Sequence, residues 1–510
     1  MDHSRPTATP SAVVAETLQA LDIDTAHSPQ SLEETSHWLA NSGLDDPSLV
    51  DLTHLPFVTM DNADSRDLDQ AMLIERHEED QYRIRYALAD AAYYVRPGSA
   101  LFAQALERGA TYYTPLMSVP MLPAALSEGL ISLNPAVDRR ALVFDMIVDD
   151  NAIVSRTSID RARIHSRAKL DYAAVQAWLD SGTAPSRSYD ESMLLLRELG
   201  NKLIAAAARR GVVRFDRSET LLTVTGDPPR FEATRRARYQ TERYNEQISL
   251  ICNMQGAEIL LALTGVTDTL QAVFRVHEAP LKRSLGELRS TLAAFAQDQD
   301  LPAQWIWEPG QSLAQYVENL PDTPQHKRRV MAVQRQIMQA QRASSFTPVP
   351  GEHHALKADS YARFSSPMRE VVGIFTHKEL LEALGGHEID TNTDAALRDA
   401  VIDSANRARQ RQRKLEKTLE FAALYGVFSR ELALEEPRMH DGTVVGLRGD
   451  RLYVSLDDMA ADIKLYREDL EQQFSTVYTM NETTASPGDA SQPEIRLGQA
   501  VQLCIRDYDR

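Results

Sequence analysis

The stretch that most restricts what this chain can become is Phe57–Ala71, F-V-T-M-D-N-A-D-S-R-D-L-D-Q-A. Phe57 to Met60 reads as a short β-run, and Asp61, Asp64, Asp67 and Asp69 crowd into the segment that follows it. Carboxylates this close repel one another unless water or a cation screens them. The fold must therefore carry them on a loop or irregular segment. An all-oxygen donor set suits a hard divalent ion, magnesium first. Such an ion can activate a water and stabilise charge on a phosphoryl group. A calcium EF-hand is excluded, because the spacing, the central Gly and the closing Glu are missing. A solvated acidic turn is the plainer reading, and the stretch alone leaves both open.

Further motifs narrow the choice. T-M-D-N-A-D-S-R-D-L-D-Q-A resembles the signature of the ribonuclease II family, the RNB-domain exoribonucleases, whose pattern is Asp, five residues, Asp, one residue, then two consecutive Asp. Asp61, Asp67 and Asp69 match the first three positions, and Gln70 stands at the fourth. The resemblance implies that these Asp are catalytic. With Gln70 they would hold Mg2+, Mn2+ being the alternative ion, and no organic cofactor is expected.

Other blocks follow in the family's order. Y-T-P begins at Tyr113, and G-V-V-R-F-D (211–216) contains Phe215. The resemblance implies that these two aromatics stack on the terminal bases of RNA, a grip that ignores base identity. Tyr172 and Glu246 fall where the family recognises the ribose. Taken singly, each of these residues would read as core aromatic or solvated helical acid. Y-A-R-F-S-S-P-M-R-E-V-V-G-I-F-T-H-K (361–378) resembles Y-x-H-F-T-S-P-I-R-R-Y-x-D-x-x-x-H-R. Arg369 then holds the scissile phosphate, a task suited to its planar fork. Glu370 replaces the usual second Arg and Gly373 the usual Asp. His377 reads as structural, and a catalytic Glu expected further on falls on Gln412.

The expected fold is a mixed α/β (α+β) RNB core with a C-terminal all-β OB barrel and a short helical N-terminal segment. The boundaries are 1–50 for the helical segment, 51–434 for the catalytic domain and 438–510 for the RNA-binding OB domain. Fifty residues are too few for paired cold-shock barrels, so the resemblance is to a branch without them. A net charge of −18 repels phosphates, so RNA needs a local basic channel. Segments 155–169, 235–244, 326–329 and 406–417 are the candidates, each also readable as a solvated face. Cys252 and Cys504 offer no disulfide framework, which fits a cytoplasmic protein. Asn253, Gln255 and Glu258 interrupt the longest apolar stretch, making it a buried helix rather than a membrane span.

The expected function is magnesium-dependent, processive 3′→5′ hydrolysis of single-stranded RNA to nucleoside 5′-monophosphates, by a monomer with no membrane partner. The alternative is a catalytically weak RNA-binding protein that retains the fold.

Overall fold

The alternating apolar pattern of Gln81–Ala89 and the apolar run of Asp138–Asp149 become two central strands of a seven-stranded sheet. Its order is Val50–Asp51, Val154–His165, Asp138–Asp149, Gln81–Ala89, Gln70–Arg76, Val58–Asp61 and Ala168–Asp171. The two outermost pairings are parallel and the rest antiparallel. The computed structural model describes residues 9–506, except 79, 216–217, 266–268, 386–390 and 460.

Side chains alternate across a strand, and both faces of this sheet are buried. Val58, Met60, Met72 and Ile74 enter one core, with Leu199, Leu203, Ile248 and Leu260 from helices Asp190–Arg209 and Gln240–Thr264. Phe57, Ala71 and Leu73 enter the other, with Leu101 and Phe102, with Val372 and Phe375 from helix Val371–Gly385, and with Val401 from helix Thr391–Leu432. The sheet thus fixes where strand Val58–Asp61 ends and where strand Gln70–Arg76 begins, and the acidic loop spans that gap.

The N-terminal segment is helical, as its caps suggest. Thr9 caps Pro10–Ala20 and Ser28 caps Pro29–Ala40. Glu34 in turn accepts from Ala100 N (2.8 Å) and Leu101 N (2.9 Å), the orphan donors that begin helix Ala100–Arg108. Val14 and Leu18 pack on Leu415 and Leu419 of the long helix. Among the described residues no helix is long and apolar enough to cross a membrane.

At the C-terminus, strands Asp462–Tyr466, Arg451–Leu456, Met439–Arg448 and Ala500–Cys504 form one sheet, and Tyr478–Met480, Thr484–Pro487 and Ile495–Arg496 a second. This arrangement is consistent with an OB-type domain. Its strand-only reading needs one correction, because R-E-D-L-E-Q-Q-F forms helix Arg467–Phe474. Acidic residues in its first turn favour the helix, and Asp469 accepts from Tyr466 N at 2.6 Å. Leu288, Phe295, Trp305 and Ile337 share a core with Val444, Val454 and Tyr478, so a shared core crosses the expected boundary near residue 434.

Candidate active site

The acidic loop is held by its backbone, which leaves its carboxylates for other work. Leu68 N donates to Ser132 Oγ (3.0 Å), and Ser132 Oγ donates to Arg66 O (2.8 Å). Leu133 N reaches Leu68 O at 3.0 Å, and Ala89 N reaches Asp69 O at 2.8 Å. Lys169 Nζ donates to the carbonyls of Ala63 (2.8 Å) and Ser65. Asp64 is exposed on the loop, whereas Asp61 and Asp67 are half-buried and Asp69 is buried.

Asp69 meets Arg369 across three hundred residues. Its Oδ2 accepts from Arg369 Nε and its Oδ1 from Met368 N at 2.9 Å, so both carboxylate oxygens are engaged. The loop carrying Arg369 is itself pinned. Asn253 Oδ1 accepts from Phe364 N (2.7 Å) and Ser365 N (3.1 Å), and Thr111 N donates to Arg369 O at 2.9 Å. Asn253 is one of the polar interruptions of the apolar stretch, and holding this turn is its task.

Charge is concentrated around the guanidinium. Burial lifts the Asp69 carboxyl to about 6, with Arg369 pulling it back and Asp67 pushing it up. Burial also raises Asp67, again against the pull of Arg369. Burial works against the charge on Arg369, but Asp69, Tyr113, Asp67 and Asp61 hold it well above the ordinary value. The Tyr113 phenol is pushed up to about 12 by burial, offset by the charge of Arg369. Yet 45% of Tyr113 is exposed, so its hydroxyl end enters the site while ring surface stays open to a ligand. Its amide donates to Gln412 Oε1 at 3.1 Å, which makes Gln412 a support for Tyr113.

Tyr172 lies on the same site. Burial and then Asp61 push its phenol up to about 12, and its hydroxyl accepts from Asn245 Nδ2 at 3.0 Å. The Glu246 side chain is 45% exposed and lies 3.4 Å from Arg238. Phe215 is half-buried against the core shared by residues 288–337 and the C-terminal sheets. His377 is fully buried, donates from Nε2 to Phe364 O (2.9 Å) and is driven down to about 4 by burial. Sequence motifs alone did not single out Ser132, Lys169, Asn245 or Arg363, whose roles come from contacts distant in the chain.

The two departures in the 361–378 block have local explanations. Glu370 receives Arg363 Nε (3.1 Å) and Nη2 (3.2 Å), so a charge pair stands where the pattern has His and Arg. At Gly373 an added Cβ would lie 2.9 Å from Pro367 Cα, which leaves no room for an Asp.

The oxygen donors present are of the kind magnesium takes, but Asp61, Asp67 and Asp69 do not all come within 4.8 Å of one another. Gln70 Oε1 is buried without a hydrogen-bond partner among the described residues, a neutral oxygen that a cation would satisfy. Asp61 and Asp67 add anionic oxygens, and magnesium commonly takes few protein carboxylates and keeps water. Among the described residues, three acids reach within 4.8 Å of one another only at Glu379, Glu382 and Asp394. There the Lys378 ammonium sits 2.9, 2.8 and 3.1 Å from the three carboxylates, so that group already has its cation.

Several of the basic segments are spent on the fold. Arg161 pairs with Asp90, Arg163 with Asp51, Arg236 with Glu242 and Arg328 with Asp457.

The RNB domain model matches residues 49–386. Ribonuclease R of Escherichia coli (strain K12) is 26% identical over 468 residues, 89% of this chain and 55% of the relative. Exoribonuclease 2 of Proteus mirabilis (strain HI4320) is 26% identical over 345 residues, 67% of this chain and 51% of the relative. The chain thus spans about half the length of the curated relatives it matches. Among solved structures, Mycoplasma genitalium RNase R in complex with ribose methylated single-stranded RNA superposes with a TM-score of 0.83 at 18% identity. That match covers 98% of this chain and 76% of the other. Yeast Ssd1, a pseudonuclease, superposes with a TM-score of 0.67 at 12% identity, over 94% and 57%. At such identities these structures speak for the fold.

Proposed function

The chain belongs to the RNB-domain, or ribonuclease II, family, and from that premise we propose that it hydrolyses single-stranded RNA processively from the 3′ end, with magnesium, to nucleoside 5′-monophosphates. One observation carries the reading. The Arg369 guanidinium lies among Asp61, Asp67, Asp69 and the Tyr113 hydroxyl, groups brought from opposite ends of the domain.

Each residue then has a task. Asp69 holds Arg369 by Nε, which leaves the Nη edge to grip phosphate oxygens. Asp69 acts in this scheme by orienting Arg369, while Asp61, Asp67 and the Gln70 carbonyl would hold the ion. Bound there, magnesium supplies an activated water and offsets charge at the phosphate. The open face of Tyr113 stacks on a base near the 3′ end. The Tyr172 hydroxyl, which accepts from Asn245, would meet the sugar. The C-terminal sheets would bind RNA further along the strand.

Gln70 favours a second reading, since its amide offers only a neutral oxygen where the family pattern has an anion. In that reading the protein binds RNA without cutting it. The deciding experiment follows a 5′-labelled single-stranded RNA with magnesium and with excess chelator. Progressive shortening to a small end product, abolished by chelator, is the expected result. Bound but uncut RNA at high magnesium, with cutting restored by Gln70→Asp, would replace our proposal with the second reading.

A further inference from the structure

We propose that Arg275, Arg363, Arg409 and Arg413 form a second phosphate-binding site beside Arg369. It would take either a backbone phosphate of the bound RNA or the 5′-phosphate of a released nucleotide. The inference rests on the RNA-degrading reading and adds to it a site of which the sequence shows only the basic segment 406–417.

The four side chains come from three segments. Arg275 lies in strand Phe274–Val276 and Arg363 in the turn before helix Val371–Gly385, while Arg409 and Arg413 are about one turn apart on helix Thr391–Leu432. Ser344 gathers two of them. Arg275 Nε donates to its Oγ (3.2 Å), and Arg409 donates to its carbonyl (2.8 Å) and its Oγ (3.1 Å). Both guanidiniums also lie against the Phe346 ring, 5.9 and 5.7 Å from its centre. Arg363 is held by both oxygens of Glu370, the residue next to Arg369.

The charges do not balance. Among the described residues only Arg363 of these four has a carboxylate within ion-pair distance, and that carboxylate is Glu370. Four guanidiniums facing one carboxylate leave a surplus of positive charge in a partly buried space. Burial and the neighbouring cations depress Arg275, and drive Arg409 down to about 10. His353, 8% exposed, is forced down to about 3 by burial and then by Arg275, and its Nδ1 has no partner among the described residues. Cations crowded away from water are costly unless an anion joins them. Guanidinium forks match phosphate oxygens. Arg413 is exposed, and so opens the cluster to solvent. The cluster also adjoins the proposed clamp, because Gln412, between Arg409 and Arg413, supports Tyr113.

The test is equilibrium binding of a labelled single-stranded RNA in chelator, where no strand is cut, across a salt series. Arg409→Gln and Arg413→Gln are compared with the wild-type chain, and Arg409→Lys retains the charge. Each Gln variant should weaken RNA binding roughly tenfold, the scale of one charge-assisted hydrogen bond. Each should also lower the slope of log affinity against log salt by about 0.7. Arg409→Lys should keep the slope. Competition by adenosine 5′-monophosphate separates the two phosphate sources. An unchanged nucleotide affinity assigns the site to the RNA backbone, and an equal loss assigns it to the product. Wild-type RNA affinity, nucleotide affinity and salt slope in both Gln variants, with unchanged circular dichroism, would overturn the site. That result in a chain that cuts RNA leaves the proposed function standing. A wild-type chain that binds RNA with the expected variant effects but never cuts it removes the function and keeps the site.

Discussion

The pair Asp69–Arg369 is the contact on which the proposed chemistry turns, and a double-mutant cycle tests it. Asp69 is 2% exposed, and both of its oxygens are engaged, by Met368 N and by Arg369 Nε. Removing one partner of a buried pair typically costs ~3–5 kcal/mol. Arg369 keeps 29% of its side-chain surface in solvent and also faces Asp67 and Asp61, which moves the expected cost of Asp69→Asn down to about 2–3 kcal/mol. The Asn carbonyl can still accept from Met368 N, but its amino group faces a guanidinium. Arg369→Gln should cost a similar amount by leaving Asp69 buried without its cation. In the double variant neither charge is stranded, so the loss should fall short of the sum by about 2 kcal/mol. Urea unfolding followed by circular dichroism supplies these values, and turnover on RNA should show the same shortfall. Burial lifts Asp69 to about 6, so the carboxyl takes up a proton as pH falls through that value. Between its ordinary 3.8 and about 6 the folded state binds a proton that the unfolded chain does not, so the stability of the wild type relative to Asp69→Asn should rise as pH falls through that window. Additive stability losses, with Asp69→Asn shifting only the magnesium requirement, would refute the pairing and make Asp69 a metal ligand.

Other predictions concern single positions. Tyr113→Ala should forfeit ~1–3 kcal/mol of base stacking and lengthen the shortest fragments left after digestion, and an unchanged product ladder would show the ring to be structural. Gly373→Asp should destabilise by about 1–3 kcal/mol, since its Cβ meets Pro367 Cα at 2.9 Å, and a wild-type unfolding midpoint would contradict that steric account. His377 is held near 4, below its ordinary 6.5, so the unfolded chain binds the extra proton between those values and stability falls as pH drops through them. Its contribution is ~1.4 kcal/mol per pH unit in that window. Asp69, raised to about 6, works in the opposite direction below that pH. His377→Asn should therefore flatten the fall in stability relative to wild type, and parallel pH profiles would mean that His377 titrates normally.

Much of the frame was legible in the sequence because backbone periodicity writes itself locally. Phe57 to Met60 read as a short β-run, and the strand's period of two set Val58 and Met60 on the opposite face from Phe57. The Asp cluster announced a loop that wants a counter-charge, and the S-S-P-M-R block marked Arg369. S-P-Q-S-L-E-E, opening at Ser28, signalled the second N-terminal helix, whereas the Thr9 cap of the first emerged only in the structure.

The tertiary structure alone decided how these pieces meet. Nothing near Asp69 in sequence says that both its oxygens are taken by residues 368 and 369, because that pairing depends on two cores packing against one sheet. The same holds for Glu370, which reads as a lost arginine until Arg363 is seen gripping it, and for Gly373, whose missing side chain answers to Pro367. Lys169 and Arg163 looked like RNA contacts in a list of basic residues, yet the fold spends them on loop carbonyls and on Asp51. Arg275, Arg363, Arg409 and Arg413 lie far apart in the chain, and only packing crowds them together. The physical reason is common to all of these cases. Local sequence sets the element and the face a side chain takes, while the partner of a charge is whatever the packed chain brings within a few ångströms of it.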